Sequence, residues 1–280
     1  MESFTKEIKE KKRFQFGKNW AHFLKSIDEH RIENSKASLL KFLGLHTLDG
    51  KTFLDVGSGS GLSSLSAINS GAKVFSFDYD KQSVECTKFL KEKYFSGKSE
   101  DWNIEQGSAL DENYLNSLPQ FDIVYSWGVL HHTGDMWKGL ELVEKKVKDK
   151  GLLFLALYND QGKKSKFWHL VKKAYVRSNP LLKFLIVVLS YFRLWGPTIF
   201  KDFLKLKPLN TWKSVKNTRG MSPHHDVIDW VGGYPFEVSK PEEIFMFFHK
   251  KNYSLVNLKT VSGGKGCNEY IFKKNLSKTI

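Results

Sequence analysis

Residues 52–64, TFLDVGSGSGLSS, run an apolar strand pattern directly into three glycines at alternate positions, Gly57, Gly59 and Gly61. An acidic residue, Asp55, stands two residues before the first of them. Glycines at the end of a strand let the backbone turn sharply and let a ligand approach it closely. We therefore expect a strand, a ligand-binding turn and a helix in this order.

Strand-like and helical segments alternate around and beyond this turn. The helical segments cover residues 62–70, 81–95, 111–117 and 135–148, and the strand-like runs are TFLDV, KVFSFD, WNIEQ, FDIVYSW and GLLFLALY. This alternation predicts an α/β fold with a doubly wound, mostly parallel sheet. Two later strand patterns, YSLVNLKTV and NEYIFKK, are separated only by the turn-rich SGGKGC. We expect these two to pair antiparallel at one edge, which makes seven strands in a Rossmann-like sheet.

The composition is that of a folded protein with a basic surface. The chain of 280 residues has a formal net charge of +14, which would suit nucleic acid, anionic lipid or an acidic substrate. The lysines are scattered, as in KEIKEKKR and VEKKVKDK, without an RNA- or DNA-binding signature. We interpret most of this charge as solvated surface. Two cysteines exclude a disulfide scaffold, and a charged N-terminus without an apolar stretch favours a cytoplasmic location.

One apolar run stands apart from the alternating pattern. It is LLKFLIVVLSYF, residues 181–192, which follows a proline and contains a lysine. The run is shorter than the ~20 residues that a membrane-spanning helix requires. We expect it to be packed inside a cap, and leave open an interfacial helix with peripheral membrane contact.

The spacing of the glycines narrows the choice of ligand. A dinucleotide fold expects G-x-G-x-x-G, but Leu62 occupies the position of the third glycine in that pattern. The phosphate-binding pattern G-x-x-x-x-G-K-[ST] is absent, and no Lys or Arg occurs in residues 52–72. Nothing near the turn therefore favours a polyphosphate.

Two carboxylates indicate a cationic ligand with a ribose. Asp55 would repel a pyrophosphate but attract a cation, directly or through water. Asp78 ends the second strand pattern, KVFSFD, where it can accept hydrogen bonds from both hydroxyls of a ribose. S-adenosylmethionine combines an ammonium, a sulfonium and a ribose diol, so it fits both residues.

At this point the sequence resembles the class I S-adenosylmethionine-dependent methyltransferases. LDVGSGSG is similar to their first motif, Asp78 to their ribose-binding acid, QGSAL to the loop beside adenine, and FDIVYSWGVLHH to the motif of the fourth strand. The resemblance implies that the glycines line the methionine side of the cofactor and that Ser108 and Ala109 flank adenine. Many relatives have Asp where this chain has Ser108, so that contact is expected to be weaker or made by backbone. The expected cofactor residues are Asp55, Gly57, Ser58, Gly59, Gly61, Asp78, Tyr79, Ser108, Ala109, Trp127 and Trp20.

The resemblance also implies a division of the chain. Residues 1–48 are expected to form a helical segment that covers the cofactor and substrate site. Residues 49–160 and 240–280 are expected to form the methyltransferase core. Residues 161–239 follow the fifth strand, leave the carboxyl edge of the sheet and are expected to form a cap that recognises the substrate.

Methyl transfer needs alignment, exclusion of water and, for some acceptors, removal of a proton. Histidine suits proton removal near neutral pH, and the chain contains two adjacent pairs, His131 with His132 and His224 with His225. Asp226 could orient one imidazole of the second pair. Either pair could instead be structural, the first shaping the cofactor pocket and the second forming a hydrogen-bonded turn. No metal site is expected, because adjacent histidines tend to point apart.

The segment that bears on the identity of the acceptor is residues 219–237, RGMSPHHDVIDWVGGYPFE. This segment is similar to one in bacterial methyltransferases of glycan or small-metabolite pathways, loosely like those of quinone biosynthesis. Arg219 is expected to hold an anionic group of the acceptor. The alternatives are a nucleic-acid methyltransferase and a cofactor-binding protein without catalysis. The nucleic-acid alternative lacks support. The motif [DN]-P-P-[YF] of exocyclic-amine methyltransferases is absent after the fourth strand, and no cysteine is placed as the nucleophile for C5 methylation.

Overall fold

The computed structural model describes residues 2–204, 223–262 and 264–276. Its centre is one seven-stranded sheet. The strands are β1 (Thr52–Val56), β2 (Lys73–Asp78), β3 (Trp102–Gln106), β4 (Phe121–Trp127), β5 (Val147–Tyr158), β6 (Tyr253–Lys259) and β7 (Cys267–Lys274). Their order is β3-β2-β1-β4-β5-β7-β6, with the first five parallel and β7 antiparallel to both of its neighbours. The predicted doubly wound sheet with an antiparallel edge is confirmed.

Helices cover both faces and the carboxyl edge of the sheet. Within the described residues they are α1 (Glu2–Lys9), α2 (Gly17–Leu24), α3 (Glu29–Leu43), α4 (Leu62–Ile68), α5 (Lys81–Tyr94), α6 (Glu112–Ser117), α7 (Met136–Glu144), α8 (Lys163–Arg177), α9 (Pro180–Leu204), α10 (Pro223–Gly232) and α11 (Pro241–Lys250). Short 3₁₀ turns cover Ser99–Asp101 and Leu130–His132.

Side-chain alternation along β1 divides the core into two layers. Phe53 packs with α3, α4 and α5, whereas Leu54 and Val56 pack with α6, α7 and α11. This follows from the two-residue period of a strand that is buried on both faces. Aspartates cap several of the crossover helices: Asp80 accepts from the backbone N–H of Gln82 at the start of α5.

Helix α3 belongs to the core, which differs from the expectation that all of residues 1–48 cover the site. Phe42 stacks on Phe154 of β5 with ring centroids 4.8 Å apart, and the backbone carbonyl of Phe42 accepts from Asn257 of β6. Its buried leucines, Leu39 and Leu43, face the sheet in the same layer as α4. Only the segment before α3 is available to lie over the glycine turn.

Helices α8, α9 and α10 form a separate apolar cluster beyond β5. Trp168, Val227, Val231 and Phe236 are buried at its centre. The expected burial of residues 181–192 is wrong: Leu181 is 71% exposed and Phe192 is 72% exposed. The run is also part of a helix of 25 residues, which is long and apolar enough to cross a membrane by length and composition alone. The apolar run seen in the sequence is shorter than the helix, because the helix continues through Arg193 and Pro197.

Candidate cofactor and acceptor site

The turn after β1 requires its glycines. Gly57, Gly59 and Gly61 have φ values of +80°, +56° and +83°, which side chains rarely adopt. A Cβ on Gly57 would lie 2.4 Å from Cγ1 of Val129, and one on Gly61 would lie 2.9 Å from Cα of Thr87. The turn is therefore packed against the segment after β4 on one side and against α5 on the other.

Asp78 joins the ends of β1 and β2. Its Oδ2 accepts from the backbone N–H of Gly59 at 2.9 Å, and its Oδ1 accepts from the backbone N–H of Asp80 at 2.8 Å. Burial raises the pKa of this carboxyl to about 6, against the lowering effect of these hydrogen bonds. Each carboxylate oxygen can accept a further hydrogen bond, so the residue predicted to hold the ribose remains able to accept from its two hydroxyls.

Asp55 lies behind the turn, within the sheet. It is 2% exposed, and Ser64 Oγ of α4 donates to its Oδ2 at 2.5 Å. Ser64 and Ser76 are joined at 2.7 Å, and Trp102 Nε1 donates to Ser76 Oγ at 2.8 Å. Burial raises the pKa of Asp55 to about 7, and the nearby charge of Asp78 adds to this effect. The predicted attraction for a cation would thus act from beneath the turn.

Ser58 faces away from the cleft. Its hydroxyl is bonded to Thr87 Oγ1 at 2.9 Å, and its backbone N–H donates to the carbonyl of Phe77 at 3.1 Å. Its carbonyl accepts from Gly61. All three polar groups of Ser58 are therefore used to shape the turn, which leaves its predicted cofactor contact without support from its position.

The residues predicted to surround adenine lie at the carboxyl ends of β2 and β3. The backbone N–H of Gly107 donates to the carbonyl of Asp78 at 3.0 Å, and Gln106 Nε2 donates to the carbonyl of Tyr79 at 3.1 Å. Ala109 is buried, and Ser108 Oγ accepts from the N–H of Leu110 at 3.2 Å. These contacts bring the loop of Ser108 and Ala109 beside Asp78, as the resemblance implies.

The N-terminal segment lies over this edge of the sheet. A Cβ on Gly59 would be 3.0 Å from the indole ring of Trp20, and the N–H of Gly17 donates to Asp80 Oδ2 at 2.9 Å. Trp20 thus reaches the turn, and its contact with the cofactor stays a prediction. Trp127 is 48% exposed at the end of β4.

Sequence reasoning missed Arg13, which fastens this segment. Its Nη1 donates to the carbonyl of His132 at 2.6 Å, and its Nη2 donates to the carbonyl of Thr133 at 2.9 Å. Its Nε bonds Glu7 at 2.5 Å, and its guanidinium lies 5.2 Å from the ring centroid of Tyr79. Arg13 ends the lysine-rich run KEIKEKKR, so composition could not separate it from solvated charges.

The first histidine pair is buried and neutral. His131 Nδ1 accepts from the N–H of Tyr158 at 3.2 Å, and the two rings stack 3.8 Å apart. His132 Nδ1 is 2.7 Å from the carbonyl of Pro235, so this nitrogen carries the proton. Burial lowers the pKa of His131 and lowers that of His132 to about 3, with the charge of Lys172 acting in the same direction. These contacts support the pocket-shaping interpretation of the pair.

The remaining predicted residues are only partly placed. Arg219 lies outside the described residues. The backbone of His224, His225 and Asp226 lies in the first turns of α10, and their side chains are outside the described part of the structure. Among the described residues, no three His, Cys, Asp or Glu side chains gather as a metal site would require.

A crevice opens at the carboxyl end of β5, between the core and the cap. Its walls include Tyr158, Trp168, Trp230 and Phe236, with Lys265 at its side. Within the described part of the chain, Nε1 of Trp230 is buried without a hydrogen-bond partner. An unsatisfied indole N–H is costly to bury, so this donor is available to an acceptor oxygen.

Lys172 lies behind this crevice. Its ammonium group is 4.3 Å from the ring centroid of Trp230 and 4.7 Å from that of Phe236, and it donates to the backbone carbonyl of Trp230. Burial lowers its pKa to about 7, although the charge of Asp229 opposes this change. Its burial was not predictable, because Lys172 stands in the lysine-rich helix KKSKFWHLVKKAYVR.

The residues around the turn fit S-adenosylmethionine. The glycines form a turn without side chains at positive φ, Asp78 Oδ2 accepts from the N–H of Gly59 in that turn, and Asp55 and Asp78 in their ionised forms favour a cation over a phosphate. Asp78 would hold the ribose, the turn would lie along the methionine part, and Ser108 with Ala109 would border the adenine.

Comparison with known proteins agrees with this fit. A family model described as a methyltransferase domain matches residues 27–183, more than half of the chain. The chain therefore belongs to the methyltransferase domain family. Together with the fold, this confirms the predicted class, the S-adenosylmethionine-dependent methyltransferases, and S-adenosylmethionine as the cofactor.

Individual relatives are more distant. The ubiquinone biosynthesis O-methyltransferase of Pelagibacter ubique is 26% identical over 140 residues, which are 49% of this chain and 55% of that protein. The ribosomal RNA small subunit methyltransferase A of Pseudomonas fluorescens is 32% identical over 118 residues, 41% of this chain and 37% of that protein. The chain thus matches only about half or less of the length of these relatives.

A solved structure extends the likeness of fold to most of the chain. Magnesium protoporphyrin IX methyltransferase from Synechocystis PCC 6803, determined with bound SAH, aligns with a TM-score of 0.50 at 12% identity. The alignment covers 90% of this chain and 86% of that one. At this identity the likeness concerns the fold alone.

Proposed function

We propose that this protein transfers a methyl group from S-adenosylmethionine to a small-molecule acceptor held in the crevice at the end of β5. The observation that carries this proposal is the buried, unpartnered Nε1 of Trp230 in an aromatic wall beside Lys265. The space enclosed there is about 10 Å³, so in this structure it admits a small polar group of the acceptor, such as an oxygen that accepts from the indole N–H. Among the described residues, Nε2 of His131 is also buried without a hydrogen-bond partner, and its ring stacks on Tyr158 of the same crevice.

A continuous set of contacts links the crevice to the cofactor turn. Gly57 packs against Val129, which precedes the 3₁₀ turn of His131 and His132. His131 stacks on Tyr158, and Tyr158 lines the crevice. We propose that the two ligands meet beside the His131–His132 turn, which is held by hydrogen bonds to Arg13 and Tyr158.

The bound cofactor supplies an electrophilic methyl group, so the protein has mainly to bind, orient and exclude water. Asp78 and the glycine turn would hold the donor. The aromatic walls would orient the acceptor, and the Trp230 N–H would fix one of its oxygens. Lys265 would favour an acceptor that carries a negative charge, in the role also expected for Arg219.

A proton must be removed where the acceptor is a hydroxyl. His131 and His132 are poor bases in this structure, because burial disfavours their charged forms. His224 or His225, oriented by Asp226, therefore remains the proposed base. The likeness to a ubiquinone biosynthesis O-methyltransferase supports oxygen as the acceptor atom.

The test is transfer of label from S-adenosylmethionine into fractionated extracts of metabolites, glycans and nucleic acid. We expect label in the small-molecule fraction, and a Trp230→Phe variant that keeps cofactor affinity but has a higher KM for the acceptor. Trp137→Phe is the matched control, because Trp137 is 39% exposed on α7 and does not line the crevice. Label in RNA would support the nucleic-acid alternative, which the likeness to a ribosomal RNA methyltransferase favours. Cofactor binding without any transfer would indicate a protein without catalysis.

A further inference from the structure

Helix α9 has two apolar faces on opposite sides of its axis. The inner face packs on the buried cluster of the cap with Ile186, Val187, Tyr191, Leu194 and Trp195. The outer face is exposed to solvent and consists of Leu181, Phe184, Leu185, Leu189, Phe192, Ile199, Phe200 and Phe203. Within each set neighbouring members lie one, three, four or seven residues apart, so each set follows one side of the helix as a stripe.

The outer stripe is unusually apolar for a surface exposed to water. Leu189 is 67% exposed, Phe192 is 72% exposed and Phe203 is 69% exposed. Single exposed apolar residues are ordinary, but a contiguous stripe of this length marks an interaction surface. The neighbouring helix α8 also exposes two apolar side chains, Phe167 and Leu170, which are 53% and 65% exposed.

The charges of these two helices have one sign. Helices α8 and α9 together contain nine Lys or Arg residues and one acidic residue, Asp202, which is buried. The exposed basic side chains make no ion pair among the residues described; they include Lys163, Lys164, Lys166, Arg177, Arg193 and Lys201. Exposed apolar side chains with uncompensated cations around them complement a bilayer with anionic headgroups.

The contacts of the inner stripe indicate whether α9 would lie on a membrane or cross it. A spanning helix would have to leave the cap, and this would expose Trp168, Val231 and Phe236 to water. A helix lying in the interface keeps those contacts and buries only its outer stripe. The packing therefore favours an interfacial position, although the helix is long enough to span.

We propose that the surface formed by the outer face of α9 and the exposed residues of α8 docks the protein on a bilayer that contains anionic lipids. The apolar side chains enter the boundary between headgroups and acyl chains, and the basic side chains contact the phosphates. This inference does not depend on the proposed acceptor, because binding to the bilayer is measured without turnover.

The full-length protein is tested by co-sedimentation with vesicles of phosphatidylcholine alone or with about 30% phosphatidylglycerol. We expect binding to the anionic vesicles that weakens as salt is raised. The variant Leu189→Glu with Phe192→Glu should bind at least about 10-fold less tightly, because two apolar groups can no longer be buried. The variant Arg193→Glu with Lys201→Glu should lose most of the preference for anionic vesicles.

A matched control changes two exposed apolar residues elsewhere, Phe89→Glu with Val256→Glu, which are 48% and 56% exposed in the parent protein. It should bind vesicles within about twofold of the parent, and all variants should keep cofactor affinity as proof of folding. Equal binding by the Leu189 and Phe192 variant, or no binding to anionic vesicles, would overturn the proposal. Resistance of the bound protein to carbonate extraction would overturn the proposal in favour of a spanning helix. Dimers that the Leu189 and Phe192 variant abolishes would overturn it in favour of an interface between copies of the chain.

Discussion

The guanidinium of Arg13 donates to the backbone carbonyls of His132 at 2.6 Å and Thr133 at 2.9 Å. One side chain from the N-terminal segment thus holds the turn that borders both the cofactor residues and the crevice. Because a guanidinium presents several donors in a fixed plane, it can bond two carbonyls at once, which an ammonium does less well.

Arg13→Lys and Arg13→Ala should therefore loosen the N-terminal segment. We expect faster limited proteolysis before α3 and faster cofactor dissociation, with the alanine variant affected more. Stopped-flow dissociation and timed digestion measure the two effects. Lys12→Ala is the control, because Lys12 is exposed and its ion pair among the described residues is with Glu10 at 2.6 Å. Unchanged dissociation in both Arg13 variants would mean that the segment does not retain the cofactor.

Gly59→Ala should abolish or strongly weaken cofactor binding. The residue has φ +56°, and the added Cβ would lie 3.0 Å from the Trp20 indole. Gly44→Ala is a matched control, since Gly44 has φ +69° with no atom within 4 Å of the added Cβ. Both variants should lose roughly 1 kcal/mol of unfolding free energy from backbone strain. Calorimetric titration should show the loss of affinity only for Gly59→Ala.

Cofactor affinity should rise with pH through the titration of Asp78. Its pKa is raised from 3.8 to about 6 in the folded protein, so the accepting carboxylate forms mainly above pH 6. Asp78→Ala should weaken binding by about 1–3 kcal/mol at pH 8 and reduce the dependence on pH. Asp55 has a pKa of about 7, so Asp55→Asn separates its contribution over the same range. Affinity that is independent of pH in the parent protein would contradict the role of both carboxylates.

The stability of the protein should rise between about pH 7 and pH 10.5 because of Lys172. Its pKa falls from 10.5 in the unfolded chain to about 7 in the folded one. The unfolded state therefore binds more protons in this range, and unfolding free energy increases with pH by up to about 1.4 kcal/mol per pH unit. Denaturant unfolding at several pH values should show a smaller slope for Lys172→Met. Equal slopes would indicate that the ammonium keeps its ordinary pKa.

The histidines of α10 should affect turnover without affecting the cofactor. If the acceptor is a hydroxyl, replacing the proton-accepting one of His224 and His225 by Gln should lower kcat by roughly 10²–10⁴. Cofactor affinity should stay within a few-fold. His46→Gln is the control, since His46 is exposed in the turn after α3. Near-normal turnover in both single variants and the double variant would assign the base to another residue.

Much of the fold was readable because buried parallel strands appear as continuous apolar runs between amphipathic segments. The position of Asp78 was also readable, since it follows a strand at the edge where ligands bind. The role of α3 could not be predicted, because a helix that covers a site and a helix that packs on the sheet show the same periodicity. Its contact through Phe42 with Phe154 joins parts of the chain more than a hundred residues apart.

Charge and hydrophobicity could not show which residues are buried in the cap. Lys172 and the exposed lysines of α8 belong to one basic pattern, yet Lys172 is enclosed by three aromatic rings. The two faces of α9 are equally apolar in sequence, although Tyr191 packs on the cap and Phe192 is exposed to solvent. Only the position of the neighbouring helices separates these cases.

Arg13 bonds one side of the His131–His132 turn and Tyr158 bonds the other. If the two ligands bind as proposed, each would have its own route out. The nucleoside would leave by detaching the N-terminal segment, whereas the methylated molecule would leave past the walls of α8 and α10. Exit of one therefore does not require exit of the other. Steady-state inhibition by the two products should then follow a random order of release, with the slower route setting the turnover rate.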